Sequence, residues 1–161
     1  MHIVARAPRP RIASGGPERD HDRRPVAREV EPFPQAYRTL AVQPPGPVAE
    51  FPFFYRRADY PRHAVYMLNS TTHWMPLVNG YSDHIPQEFR DQVVALSTFP
   101  SRAAFKLLGH VGARYAVFHL NMYDSRSRER LLERLGTYRA YLRPLVQEGE
   151  VWIFEIVGFP T

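Results

Sequence analysis

Polar and aromatic side chains are concentrated in one segment of the chain, residues 66–82. This segment combines amides, hydroxyls, one imidazole and three aromatic rings. Such a mixture is typical of sugar or polyprenyl-phosphate binding, because aromatic faces stack on C–H surfaces while amides pair with hydroxyl groups. The candidate ligand-binding residues come from this segment and from one histidine further along the chain: Tyr66, Asn69, Ser70, His73, Trp74, Asn79, Tyr81, Ser82 and His119.

The same segment also fits a purely structural role. The backbone groups of a loop must find hydrogen-bond partners, and Asn and Ser side chains commonly supply them. In that interpretation Trp74 fills a position in the core. Asn79-Gly80 is a turn signal in either case. The sequence leaves both interpretations open.

Other kinds of site have weak sequence support. His73, His84, His119 and Asp83 could ligate a metal, but none of them lies in an H-x-H or H-E-x-x-H arrangement, so no metal site is predicted. Cysteine and the G-x-S-x-G motif are absent, Glu50 is the only strand acid before the segment, and no glycine-rich phosphate loop precedes a helix. No catalytic residue and no cofactor is therefore assigned. A small hydrolase that uses His73 or His119 as a base remains the enzymatic alternative.

Predicted strands place His119 at the rim of a sheet. Residues 115–120 are apolar nearly throughout, which favours a central strand, and ligands of open α/β sheets gather at the carboxyl ends of strands. Residues 48–53 form a first strand that Pro52 should end. A C-terminal β-hairpin is predicted, because two apolar stretches, residues 145–146 and 151–157, flank a turn that contains Gly149.

Helical patterns alternate with these strands. The predicted fold is therefore α/β, with a small three- to four-stranded mixed sheet, parallel central strands, and helices packed on the sheet. Five helices are predicted, over residues 34–40, 58–68 and 86–96, after an N-cap at Ser101, and from an N-cap at Asp124 or Ser125 to about Leu142.

The basic character of the chain is concentrated at its start. The net charge is +5, and residues 1–30 hold seven arginines against four acids, mixed with proline and glycine. We predict a disordered Arg/Pro-rich leader over residues 1–30 and a single α/β domain over residues 31–161. Nucleic-acid binding through the leader is an alternative function, which we do not favour. Neither a signal peptide nor a run of ~20 apolar residues occurs, and the compartment is not indicated.

Four stretches together carry a resemblance to a known class of proteins. They are residues 46–52 (GPVAEFP), 66–74 (YMLNSTTHW), 76–82 (PLVNGYS) and 112–119 (GARYAVFH). In combination they resemble the C-terminal soluble domain of bacterial polytopic membrane proteins of the mannosyltransferase-like, GT-C glycosyltransferase class. The resemblance covers about residues 31–159.

This resemblance implies a function for the domain. In that class the catalytic acids lie in a membrane-embedded region, and this sequence contains no such region. The resemblance therefore implies a non-catalytic extramembrane domain that binds glycan or lipid-linked sugar, with a membrane-embedded transferase region as a further partner. We expect the chain to be a truncated or detached form of such a protein and not to be catalytic by itself.

Overall fold

The computed structural model describes residues 35–80 and 87–161, apart from the side chains of residues 87–91 and 148. Its four strands form one mixed sheet in the order β1-β2-β4-β3. The strands are β1 (Val48–Phe51), β2 (Tyr115–His119), β3 (Leu142–Glu148) and β4 (Val151–Ile156). Several predictions concern residues outside the described ranges. They are the leader, its boundary with the domain, and the possible metal ligands Asp83 and His84.

The pairing of the strands confirms the predicted mixed α/β sheet. β1 and β2 are parallel, with Val48 opposite Tyr115 and Phe51 opposite Phe118. β4 is antiparallel to both β2 and β3, and Gly149, with a φ of 65°, lies in the turn of the C-terminal hairpin. β4 is thus an internal strand, and β3 forms one edge of the sheet. The two central strands, β2 and β4, are antiparallel, and the parallel pair of β1 with β2 lies toward the other edge and not at the centre as predicted.

Five α-helices occur in the described residues, and two of them start directly after the predicted capping residues Ser101 and Asp124. Ser101 accepts a hydrogen bond from the N–H of Ala104 (3.3 Å), and Asp124 accepts one from the N–H of Ser127 (3.0 Å). The helices are α1 (Gln35–Ala41), α2 (His63–Ser70), α3 (Gln87–Leu96), α4 (Arg102–His110) and α5 (Ser125–Thr137). Short 3-10 helices cover Arg57–Arg62, Leu120–Met122 and Arg139–Tyr141. Among the described residues, no helix has the length and apolar character that crossing a bilayer requires.

Two helix predictions were wrong in their extent. The predicted helix ending near Leu142 stops at Thr137, and Leu142 instead begins β3, opposite Ile156. An inward-facing leucine satisfies a helix or a strand equally well, and the strand pairing decides between them. The predicted helix over residues 58–68 begins as a 3-10 helix, because Pro61 has no N–H to donate to an α-helix.

The alternation of side chains along the strands creates two separate cores. Ala49, Phe51, Ala116 and Phe118 face a large aromatic core together with residues of α3, α4 and α5. The opposite face carries a smaller core that the residues of α1 cover. Because side chains alternate along a strand, Glu50 and His119 point to the face covered by α1.

Candidate binding site

A buried carboxylate lies at the centre of the candidate site. Glu50 of β1 is fully buried, and its Oε2 accepts hydrogen bonds from the hydroxyl of Tyr37 (2.6 Å) and from Nε2 of His119 (2.6 Å). The Tyr37 hydroxyl lies 3.0 Å from the same His119 nitrogen. α1, β1 and β2 each supply one member of this arrangement. It ties the helix to the two parallel strands through polar contacts that water does not reach.

Asn79 holds the end of the 66–82 segment against β1. Its Oδ1 accepts from the backbone N–H of Glu50 (3.0 Å), and its Nδ2 donates to the Glu50 carbonyl (2.8 Å). The same Nδ2 lies 3.3 Å from Nδ1 of His63, whose Nε2 lies 3.2 Å from the carbonyl of Phe54. The amide of Asn79 therefore extends the edge of the sheet as a backbone strand would. With these residues we define the buried polar cluster as Tyr37, Glu50, His63, Asn69, Asn79 and His119.

Tyr66 and Asn69 of α2 also point into this cluster. The Tyr66 ring stacks on His119 (centroids 4.9 Å apart) and its hydroxyl donates to the Pro52 carbonyl (2.9 Å). Asn69 donates a long hydrogen bond of 3.4 Å to the Tyr37 hydroxyl. Ser70 lies at the end of α2, where its hydroxyl donates to the Met67 carbonyl within the helix (2.7 Å). The polar groups of these three candidate residues thus have partners inside the protein.

His73 lies at the boundary between the buried cluster and the surface. Its ring is parallel to that of Tyr37 (interplanar angle 5°, centroids 5.9 Å apart), and its Nδ1 accepts from the N–H of Met75 (3.0 Å). Three buried polar atoms have no hydrogen-bond partner in the described part of the chain. They are Nε2 of His73, Oγ1 of the preceding Thr72, and Oε1 of Glu50 in the cluster. Unpaired buried polar atoms are costly and mark places where water or a ligand group completes the site.

Trp74 is the one candidate in the described part of the 66–82 segment whose side chain is largely in solvent. Its side chain is 82% exposed, so it does not fill a core position. Its φ of 55° is in the left-handed region, which side chains other than glycine rarely adopt. The flanking residues His73 and Met75 are both buried, and the N–H of Trp74 donates to the Ser70 carbonyl (2.7 Å). The backbone therefore fixes the position of an exposed indole.

Burial shifts the pKa values of four aromatic side chains at the site, two histidines and two tyrosines. Burial lowers the pKa of His63 and of His73, and for His63 the hydrogen bond with Phe54 partly opposes this. Burial raises the pKa of Tyr37 and of Tyr66, and the carboxylate of Glu50 raises each further. Both phenols thus remain protonated and act as hydrogen-bond donors.

The structure brings most of the predicted residues together, and it adds two that sequence reasoning did not select as site residues. Tyr66, Asn69, His73, Asn79 and His119 converge on the buried polar cluster, whereas Tyr81 and Ser82 lie outside the described residues. Tyr37 and Glu50 were missed. A carboxylate inside an apolar strand was the signal for Glu50, since an acid is seldom fully buried unless it is paired.

The described residues provide no aliphatic hydroxyl nucleophile to either candidate base. Within the described residues, no serine or threonine hydroxyl is hydrogen-bonded to His73 or His119. Nε2 of His119 is directed at Glu50 in the interior, away from solvent. No group of three or more metal-ligating side chains occurs in this part of the chain either.

The helix α2, which ends four residues before Trp74, carries further exposed apolar side chains. Val65, Met67 and Leu68 are 44%, 41% and 51% exposed. Residues three apart lie on one side of a helix, so Val65 and Leu68 share a face. We call Val65, Met67, Leu68 and Trp74 the α2 apolar surface.

Comparison with protein-family models gives no match, and comparison with curated proteins gives none either. Among solved structures, the chain is similar to the C-terminal globular domain of an oligosaccharyltransferase from Archaeoglobus fulgidus, with 17% identity and a TM-score of 0.43. The similarity covers 76% of this chain and 94% of that chain. A likeness at this level transfers no residue role and no activity, so the function has to be argued from the residues themselves.

Proposed function

We propose that this chain is a non-catalytic extramembrane domain of a glycosyltransferase-like protein and that it binds glycan, free or lipid-linked, through Trp74. The observation that carries the proposal is the exposure of the Trp74 side chain, 82%, on a backbone held between two buried residues. The sequence resemblance supports the class of protein, and the geometry of the segment supports Trp74 as the binding residue.

The exposure and the backbone conformation of Trp74 support a binding role over a structural one. An exposed indole contributes little to the core, and its left-handed backbone conformation costs roughly 1–2 kcal/mol in a residue that is not glycine. A rigid aromatic ring loses little conformational entropy when it binds, which is why tryptophan is frequent at binding hot spots. Saccharides present C–H faces that stack on such a ring, and their hydroxyls find donors and acceptors around it.

The neighbours of Trp74 supply polar atoms for such a ligand. The backbone of Thr72 and His73 leads directly into Trp74, and both residues have a side-chain atom without a hydrogen-bond partner. Both atoms are buried, so a sugar hydroxyl would satisfy them only by entering the turn. The other polar side chains in the described part of the segment hold the turn in place, because their partners lie within the protein.

The proposal can be tested with tryptophan fluorescence. The chain has two tryptophans, so Trp152→Phe leaves Trp74 as the only indole. Titration with mannotriose, maltotriose, N,N′-diacetylchitobiose and detergent-solubilised polyprenyl-phosphate mannose should give a saturable blue shift with at least one of them. Trp74→Ala should weaken that binding at least about tenfold by calorimetry, and Trp74→Phe should retain part of it.

A matched control separates a specific site from general apolar contact. Val111 is 52% exposed and follows α4, which packs on the opposite face of the sheet, so Val111→Ala removes exposed apolar surface from another part of the domain. It should leave the affinity unchanged within about twofold. Saturable glycan binding that is equally strong in Trp74→Ala, or no binding to any of the four probes, would contradict the proposal.

A second candidate function is attachment to a membrane-embedded transferase region or to the bilayer beside it. The observation that favours it is the α2 apolar surface, because monomeric proteins rarely expose several large apolar side chains together without a partner. Tryptophan is also frequent at membrane interfaces. In this role the domain would position an acceptor or donor for chemistry that takes place elsewhere.

Vesicle binding tests the second function separately from the first. Co-sedimentation with phosphatidylcholine vesicles containing phosphatidylglycerol should be reduced by Leu68→Glu, which places a charge on the exposed face of α2. The matched control is Leu132→Glu, on α5, where a leucine is 41% exposed. Equal loss in the two variants would contradict a surface specific to α2, and loss of vesicle binding with retained glycan binding would separate the two functions.

A further inference from the structure

A cavity lies at the carboxyl ends of the two parallel strands, on residues that take no part in the site around Trp74. It has a volume of about 390 Å³. Small-molecule sites are commonly of about 300–1,000 Å³ and, in open α/β sheets, lie beyond the carboxyl ends of the strands. The cavity is lined by residues that follow β1, residues that follow β2, one side of α5, and Ser97 and Thr98 after α3.

Three guanidinium groups border this cavity. Arg56 comes from the segment after β1, and Arg130 and Arg134 come from α5, one turn apart. Arg130 has no ion-pair partner among the described residues, and Arg134 uses Nε and one terminal nitrogen on the carbonyls of Arg130 and Thr98. The fold thus directs two arginines of α5 to the cavity.

The two carboxylates at the cavity have partners of their own. Asp59 lies 3.5 Å from Nε of Arg62. Asp124 accepts from the N–H and the hydroxyl of Ser127, at 3.0 and 2.7 Å. Neither carboxylate is hydrogen-bonded to Arg56, Arg130 or Arg134, so the three arginines keep positive charge available for a ligand.

A neutral donor and an aromatic ring complete the lining. Tyr123 lies close enough to Arg134 for the guanidinium to lower its pKa slightly, but burial dominates and raises that pKa, so the phenol stays protonated. The Tyr55 ring is 47% exposed and has the guanidinium of Arg56 5.8 Å from its centroid. Arginine pairs with phosphate through two parallel hydrogen bonds. Three arginines offer more hydrogen-bond donors than the two oxygens of a carboxylate ligand can accept, which favours a phosphate group as the ligand.

From this arrangement we propose that the cavity binds a phosphate group carried by a small molecule or by a lipid headgroup. Arg130 and Arg134 hold the phosphate oxygens, Tyr123 donates a further hydrogen bond, and Tyr55 with Arg56 covers the organic part. The proposal is independent of glycan binding, because Trp74 does not line this cavity.

Calorimetric titration of the full chain at constant ionic strength tests the proposal. Inorganic phosphate, pyrophosphate and glucose 6-phosphate serve as soluble probes, acetate as the carboxylate probe, and phosphatidylcholine vesicles containing phosphatidic acid as the lipid probe. Saturable binding of at least one phosphate probe is expected, at least tenfold tighter than that of acetate. Tighter binding of glucose 6-phosphate identifies a soluble source of the phosphate, and tighter binding to the vesicles identifies a lipid source.

Two substitutions on α5 make the test specific to this cavity. Arg130→Gln should weaken phosphate binding at least tenfold, whereas Arg126→Gln, an exposed arginine of the same helix outside the cavity, should change it less than twofold. Trp74→Ala should leave it unchanged, which separates a failure here from a failure of the glycan site. Equal weakening by the two arginine variants, acetate binding as tight as phosphate binding, or no saturable binding of any phosphate probe would overturn the proposal.

Discussion

The carboxylate of Glu50 and the imidazole of His119 meet at 2.6 Å in the interior, on two neighbouring parallel strands. The Tyr37 hydroxyl binds the same carboxylate oxygen, which brings α1 onto the sheet. Stacking of Tyr66 on His119 brings α2 to the same place. A polar contact between strands therefore sets the positions of both helices that precede Trp74.

The carboxylate of Glu50 should be important for stability. Glu50→Gln keeps the size of the side chain but replaces with an amide the carboxylate that accepts hydrogen bonds from His119 and Tyr37. A hydrogen bond to a charged group contributes about 1.5–3 kcal/mol, so we expect the free energy of unfolding in urea to fall by roughly 3 kcal/mol. The control is Glu150→Gln, whose ion pair with Arg128 lies at the surface, with side chains 52% and 41% exposed, and whose expected loss is about 1 kcal/mol or less. Equal losses would contradict a special role for Glu50.

Asn79→Ala should destabilise the domain rather than merely weaken ligand binding. The substitution leaves the backbone N–H and carbonyl of Glu50 without partners in the interior. An unsatisfied buried group costs about 1–3 kcal/mol, so we expect a loss of about 2–4 kcal/mol in chemical denaturation. Asn121→Ala removes an exposed asparagine and should change stability by less than about 0.5 kcal/mol. An unchanged free energy of unfolding in Asn79→Ala would contradict the structural role of this amide and leave it available for a ligand.

Trp74→Gly should make the domain more stable, although it removes the proposed binding residue. Glycine adopts a φ of 55° without strain, and the indole that is lost is 82% exposed. We expect a gain of about 0.5–1 kcal/mol after the entropy cost of glycine is included. Trp74→Ala is the comparison, since alanine keeps the strain. A loss of stability in Trp74→Gly would show that the indole packs against the protein.

Acid should destabilise the domain below about pH 6.5, the ordinary pKa of histidine. Because burial lowers the pKa of His63 and His73 in the folded protein, the unfolded chain binds protons first as the pH falls. The stabilisation is therefore complete above the unfolded pKa and is lost as the pH decreases toward the folded pKa. Urea midpoints between pH 7.5 and 5.5 measure this slope.

The double variant His63→Gln/His73→Gln supplies the comparison for the pH experiment. Each histidine contributes at most about 1.4 kcal/mol per pH unit, so the slope between pH 7.5 and 5.5 should be clearly shallower in the variant. Above pH 7.5 both histidines are neutral in the folded and unfolded states, and the slopes of the two proteins should coincide. An unchanged slope below pH 6.5 would show that neither histidine is buried in its neutral form.

The sequence predicted the fold well where the signals were local. Capping residues marked the starts of α4 and α5, and the apolar run of β2 indicated its internal position. The error at Leu142 arose because an inward-facing leucine is compatible with both a helix and a strand. Pairing with Ile156, a contact between distant residues, decides in favour of the strand.

The candidate site could be predicted only in part, for a similar reason. The segment around Trp74 was recognisable from its composition, but composition does not distinguish a side chain that binds ligand from one that holds the turn. Asn79 belongs to the second kind because Glu50, 29 residues earlier, presents backbone groups to it. Tyr37 and Glu50 gained importance only from the register of β1 with β2, which places Glu50 beside His119.

The most direct test of the central claim, that Trp74 faces the ligand while its polar neighbours hold the turn, is NMR observation of the two indole N–H signals. Addition of a glycan that binds should shift the Trp74 signal progressively to saturation and leave that of Trp152, which packs against the aromatic core, in place. A glycan that binds and shifts only Trp152, or neither indole, would contradict the account.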